Sequence, residues 1–190
     1  MEGAMSTAKV VKQFALCMTG ISGSGKTTIA NAVAKMLREQ GVKIDVLDGD
    51  NTRSLVGELF GHSKSERLKM AKVNQAIGSH LLRNEINIIL AVVAPFEEIR
   101  TQFRSFFGSS YIEIYVKSSV ETCALRDVKG LYAKSESGNL KHLNGIDDIY
   151  EPPENSDIIL DTEVLSVEDS CDAIIDYLHK NGYIRKAAGG

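Results

Sequence analysis

The segment Gly20-Ile21-Ser22-Gly23-Ser24-Gly25-Lys26-Thr27 fills every fixed position of the pattern G-x-x-x-x-G-K-[ST], and no other stretch of the chain limits its fold as tightly. The glycines let successive backbone N–H groups turn inward as an anion nest without interference from a Cβ. A helix that begins near Lys26 adds the positive end of its dipole to the same spot. In such a loop the Lys26 ammonium reaches the β- and γ-phosphates and the Thr27 hydroxyl ligates magnesium. The run Phe14 to Thr19 before the motif reads as a strand and the stretch after it as an amphipathic helix, the context the motif requires. The cradle from Gly20 to Thr28 therefore fits the phosphates of magnesium-ATP.

The rest of the chain repeats that rhythm. Short β-rich runs at Lys43 to Leu47, Ile86 to Val93, Ile112 to Val116 and Ile158 to Leu160 read as further strands. Between them lie helical patterns at Lys26 to Gln40, Ser65 to Arg83, Glu97 to Phe107, Val120 to Arg126 and Val167 to Asn181. Such alternation implies an α/β fold with a parallel sheet covered by helices on both faces. Residues 10–185 form one domain on this reading, with loose ends at 1–9 and 186–190. Asp127 to Pro153 breaks the rhythm: it is charged, poorly periodic and short of apolar residues, as expected of a lid that closes over bound nucleotide.

Composition narrows the class further. Lys plus Arg number 22 against 25 Asp plus Glu, a net charge of -3, so the whole-chain field recruits neither nucleic acid nor an anionic membrane. No apolar run approaches the ~20 residues that span a bilayer. Cys17, Cys123 and Cys171 lack metal-ligand or CxxC spacing and read as reduced, buried thiols of a cytoplasmic protein. The N-K-x-D guanine motif is absent, which leaves a small-molecule or nucleotide kinase as the leading class. His80, His142 and His179 read as surface or satisfied histidines, Tyr111 and Tyr115 as packing residues, and Glu97-Glu98 as a solvated helix start.

In open parallel sheets ligands sit beyond the carboxyl ends of the strands. There the second strand delivers Asp48-Gly49-Asp50-Asn51-Thr52-Arg53. A carboxylate placed there takes the proton of an acceptor hydroxyl or holds magnesium through water, and an arginine clamps an anionic acceptor. The same Asp and Asn residues also suit an Asx turn that caps a helix, which is enough to account for Asn51.

Taken with Ser65-Glu66-Arg67, Ala94-Pro95-Phe96, Lys129-Gly130-Leu131-Tyr132 and Asn144-Gly145-Ile146-Asp147-Asp148, these segments make the chain from about Phe14 to Thr162 resemble the adenylylsulfate (APS) kinases. The resemblance implies a P-loop kinase, a homodimer as a rule, that moves the ATP γ-phosphate to the 3′-hydroxyl of adenosine 5′-phosphosulfate. It implies Asp50 as catalytic base beside Lys26, with Asp48 next to magnesium. Arg53 and Arg67 become acceptor clamps, Arg126 packs near the adenine of ATP, and Lys129 and Lys141 face phosphates from the lid. The departures from the family pattern gather on the acceptor side. His62 stands where a phenylalanine stacks on the acceptor purine, Met70 where an asparagine is expected, Leu143 where the family has a lid phenylalanine, and Ala94 where a serine was proposed to carry phosphate. Two alternatives follow: a kinase of this family directed at another nucleotide such as a cytidine nucleotide, and a non-catalytic ATP-binding sensor. Lys26, Asp50 and Arg53 speak against the sensor.

Overall fold

Alternation within the strand that precedes the P-loop decides how the layers form. The computed structural model describes residues 8–56, 59–127, 130–137, 143, 145–146 and 148–186. Strand β2 (Ala15–Thr19) is buried throughout. Phe14, Leu16 and Met18 face one core with Ile29, Val33 and Leu37 of α1 (Lys26–Glu39) and Ile174 and Leu178 of α7 (Val167–Lys180). Ala15 and Cys17 face a second core with Ala71 of α3 (Lys64–Arg83) and Ile99, Phe103 and Phe107 of α4 (Glu97–Phe107). The period of two in the strand thus feeds both helical layers.

β2 pairs in parallel with β4 (Asn87–Ala91) and β5 (Tyr111–Lys117); β3 (Ile44–Asp48) and β6 (Ile158–Asp161) form the edges, giving the order β3-β4-β2-β5-β6. This is the expected parallel sheet with helices on both faces. α3 lies close to β4 because Gly78 has no side chain; a Cβ there would fall 2.7 Å from Ile88 Cδ1. A capping box between Ser63 and Glu66 starts α3, and the hydrogen bonds from Ser63 and Gly61 hold the Glu66 carboxyl below its ordinary range.

Several local readings change. Ala8 and Lys9, read as part of a loose end, belong to β1 (Ala8–Val10), which pairs antiparallel with β7 (Ile184–Lys186). The third predicted strand stops at Ala91, not Val93, because the carbonyls beyond it take other donors: Thr19 Oγ1 and the Gly20 N–H bond Val93 O, and Arg100 Nη1 bonds Ala94 O. Residues 49–56 form a helix, α2 (Gly49–Val56), and Asn51 lies inside it; the residue that caps it is Asp48. The lid stretch also holds a short helix, α6 (Leu131–Glu136), after α5 (Val120–Arg126). All three cysteines are free and buried, and burial pushes the Cys17 and Cys171 thiols up. Tyr111 packs, and His80 and the two glutamates that open α4 are exposed, as expected. No helix among the described residues is long and apolar enough to cross a membrane.

Candidate active site

The carboxyl ends of β2, β3 and β4 open onto one cavity of about 320 Å³. Its walls include Ser22, Gly23, Gly25, Lys26, Thr27 and Thr28 of the loop after β2, Asp48, Asp50 and Arg53 after β3, and Val92 to Pro95 after β4. α3 supplies Arg67, Met70 and Asn74, and the lid segment supplies Tyr132 and Leu143.

Backbone geometry makes the loop a cradle. Gly23 and Gly25 have φ of 84° and 102°, values that favour glycine. At Gly20 a Cβ would sit 2.4 Å from the Val116 carbonyl oxygen. Lys26 is buried, and its ammonium donates to Gly20 O and Ile21 O, both at 2.8 Å, which keeps the charge at the centre of the loop.

Asp48 joins this loop to the acidic segment. Its Oδ2 accepts from Thr27 Oγ1 at 2.6 Å, and its Oδ1 accepts from the N–H groups of Asp50 and Asn51 at 2.9 and 3.1 Å. One carboxylate therefore caps α2 and fixes the Thr27 hydroxyl. A hydroxyl and a carboxylate held this close are hard oxygen donors of the kind magnesium takes beside a triphosphate, so Thr27 and Asp48 fit the metal assigned to them. Asp50, two residues further on, is exposed and lines the cavity.

Two arginines, Arg53 of α2 and Arg67 of α3, line the cavity. Arg53 Nη1 donates to Phe60 O and Gly61 O at 3.1 Å each. Desolvation first, then the charge of Arg67, draws the Arg53 pKa down, opposed by Asp50 and Glu66. Two guanidiniums on one cavity wall are groups that suit an anion. Arg67 Nε donates to His62 O at 2.8 Å, and its Nη2 pairs with Asp148 at 2.8 Å. His62 is exposed, whereas Met70 and Ala94 are buried in the wall. Ala94 adopts a positive φ of 41°.

The described residues of the stretch read as a lid are held by more apolar surface than its composition promised. Tyr132 and Leu143 are buried with Ile21 and Cys123, and Tyr132 Oη donates to Ser22 O at 2.7 Å. On its return the Tyr150 hydroxyl lies 3.0 Å from Thr19 Oγ1. Arg126 is outside the cavity wall; it donates to Thr162 Oγ1 and O at 3.0 and 2.6 Å, and Thr162 Oγ1 in turn donates to Ser24 O. Lys129, Lys141 and His142 lie outside the described residues. Sequence reasoning missed Tyr132 and Asn74 as cavity residues, and Asp148 and Tyr150 as the partners of Arg67 and Thr19. Asn74 alone carried a readable signal, a polar residue on the stripe 67-71-74-78 that α3 turns inward.

A glycine-rich anion nest with a central lysine, a paired threonine and aspartate, and facing arginines at the carboxyl edge of a parallel sheet defines a P-loop kinase site. The profile of the family described as adenylylsulphate kinase matches residues 12–161, and the chain belongs to that family. Among its relatives, the adenylyl-sulfate kinase of Halothermothrix orenii is 39% identical over 87% of this chain and 89% of its own length. The probable adenylyl-sulfate kinase of Aeropyrum pernix is 42% identical, over 86% of this chain and 92% of its own length. The structure of the Mycobacterium tuberculosis APS kinase in complex with AMPPNP and APS superposes with a TM-score of 0.83 at 30% identity, covering 88% of this chain and 98% of that one.

Proposed function

We propose that this protein transfers the γ-phosphate of ATP to the 3′-hydroxyl of adenosine 5′-phosphosulfate, giving the 3′-phosphorylated product, as a magnesium-dependent homodimer in the cytoplasm. The observation that carries the reading is the contact of Thr27 with Asp48, which brings the donor loop and the acceptor segment to one cavity. The loop N–H groups and Lys26 hold the β- and γ-phosphates. Thr27 and Asp48 would hold magnesium, which would supply charge neutralisation to the triphosphate when bound. Asp50 accepts the proton of the attacking hydroxyl, and Arg53 and Arg67 clamp the acceptor's anionic group. Arg126, fixed by Thr162, stands by the adenine of ATP, and Lys129 and Lys141 meet phosphates from the lid.

With Ala94 three residues beyond β4, the position where the resemblance placed a phosphate-carrying serine has no side-chain hydroxyl, which supports direct transfer. Initial-rate kinetics are expected to show intersecting, sequential patterns. Parallel, ping-pong lines with a trapped phosphoenzyme would refute direct transfer.

A second acceptor, a cytidine nucleotide, has two residues in its favour: His62 and Leu143 replace both rings that the family resemblance places at the acceptor. Coupled ADP release over both nucleotides separates the readings, and APS-dependent release is expected. His62→Phe should keep or improve the KM for APS, since a phenyl face adds stacking of about 1 kcal/mol. His62→Ala should raise the KM for APS more than that for ATP. Turnover of the pyrimidine nucleotide without turnover of APS would move the assignment to the second reading.

A further inference from the structure

The buried carboxamides of this protein differ in one respect. Asn87 donates from Nδ2 to Lys43 O and accepts at Oδ1 from the Phe14 N–H, so both its ends are used. Gln75 donates to Gln102 O and accepts from Gln102 Nε2, again with both ends used. Asn74 is 4% exposed, lines the cavity, and its Oδ1 is the one buried side-chain oxygen or nitrogen among the described residues without a hydrogen-bond partner. A buried amide left in that state costs stability comparable to a lost hydrogen bond, so a partner from outside the chain is called for.

Its surroundings say which molecule supplies the partner. Asn74 follows Met70 by one helical turn on the cavity side of α3, and Ala71, Ile99 and Phe103 make the wall around it apolar. Arg67 lies two turns back on the same helix, about 10 Å along its axis, a span within the length of a mononucleotide. The ATP cradle belongs to the loop after β2, whereas Asn74 shares its helix and the cavity wall with Arg67.

We infer that Asn74 is a specificity-determining residue that hydrogen-bonds the acceptor nucleotide through its carboxamide, one turn from the position where the family resemblance expects an asparagine. The inference rests on the kinase reading of this cavity but not on which nucleotide is the acceptor. With Oδ1 toward the ligand, the amide takes an N–H or O–H from the base or sugar; turned over, it gives its own N–H to an anionic oxygen.

Asn74→Leu tests this with the same branching and number of side-chain heavy atoms but no polar group. It is expected to raise the KM for the acceptor about tenfold, the loss of one good hydrogen bond, while the KM for ATP stays within twofold. The thermal midpoint of the ligand-free protein should hold or rise, because an unpartnered polar group leaves the interior. An acceptor KM within twofold of the parent overturns the inference, and a lowered midpoint beside it would make Asn74 structural. Asn74→Ala, smaller and free of any packing clash, is held to the same acceptor criterion. Asn74→Asp identifies the group read: a carboxylate keeps affinity where the acceptor brings a donor, and loses more than leucine does where it brings an anion. Turnover of the unmodified enzyme with APS tests the acceptor's identity, whereas the ratio of variant to parent KM tests Asn74 on whichever nucleotide is turned over.

Discussion

Lys26→Ala is expected to lower turnover by about a thousandfold or more while the protein stays folded. Phosphoryl transfer asks the protein mainly for positioning and charge, and a single removed donor at such a centre costs about a hundred- to a thousandfold in rate. Here the ammonium is buried at the centre of the loop and bonded to two of its carbonyl oxygens, so its loss removes both the charge and the group that braces Gly20 and Ile21. An ADP-release assay beside circular dichroism and a melting curve separates the two effects. Near-native turnover in a folded Lys26→Ala protein would exclude the P-loop mechanism.

Asp50→Asn should leave ATP affinity intact and reduce acceptor-dependent ADP release by roughly a hundred- to ten-thousandfold, the range of a lost general base. The amide keeps the shape of the carboxylate but takes no proton. The triphosphate cradle is untouched, because the loop is tied to this segment through Asp48, whose two oxygens hold Thr27 and the start of α2. ATP titration and turnover measured on the same preparation supply the check. Parallel losses of ATP affinity and rate would reassign Asp50 to the metal.

Features set by near neighbours in sequence were legible. The P-loop is one continuous stretch whose glycines and lysine sit at fixed spacing, and the alternation of strands with helices along the chain announced a parallel sheet covered on both faces. Features that need a distant partner were not. Asp48 could be read as a cap or a metal neighbour but not as both, because β4 must come between β3 and β2 before Thr27 meets it. Tyr132 finds Ser22 across 110 residues, and nothing local marks it as a clamp. α2 was hidden because its glycine, aspartate and asparagine favour turns, and the helix forms on the cap that Asp48 supplies. β1 and β7 are three residues each, too short for any periodicity, and form only because each has the other.

That small pair of strands decides where anything joined to this protein would emerge. Ala8 lies opposite Lys186, and the Ala8 N–H bonds Gln40 O at the far end of α1 from the phosphate loop. With 14 residues in α1, this strand pair lies about 20 Å from the phosphate loop, at the opposite end of that helix. Ala8 and Lys186 stand side by side there, so a link made between those two residues would be short and would start away from the phosphate loop.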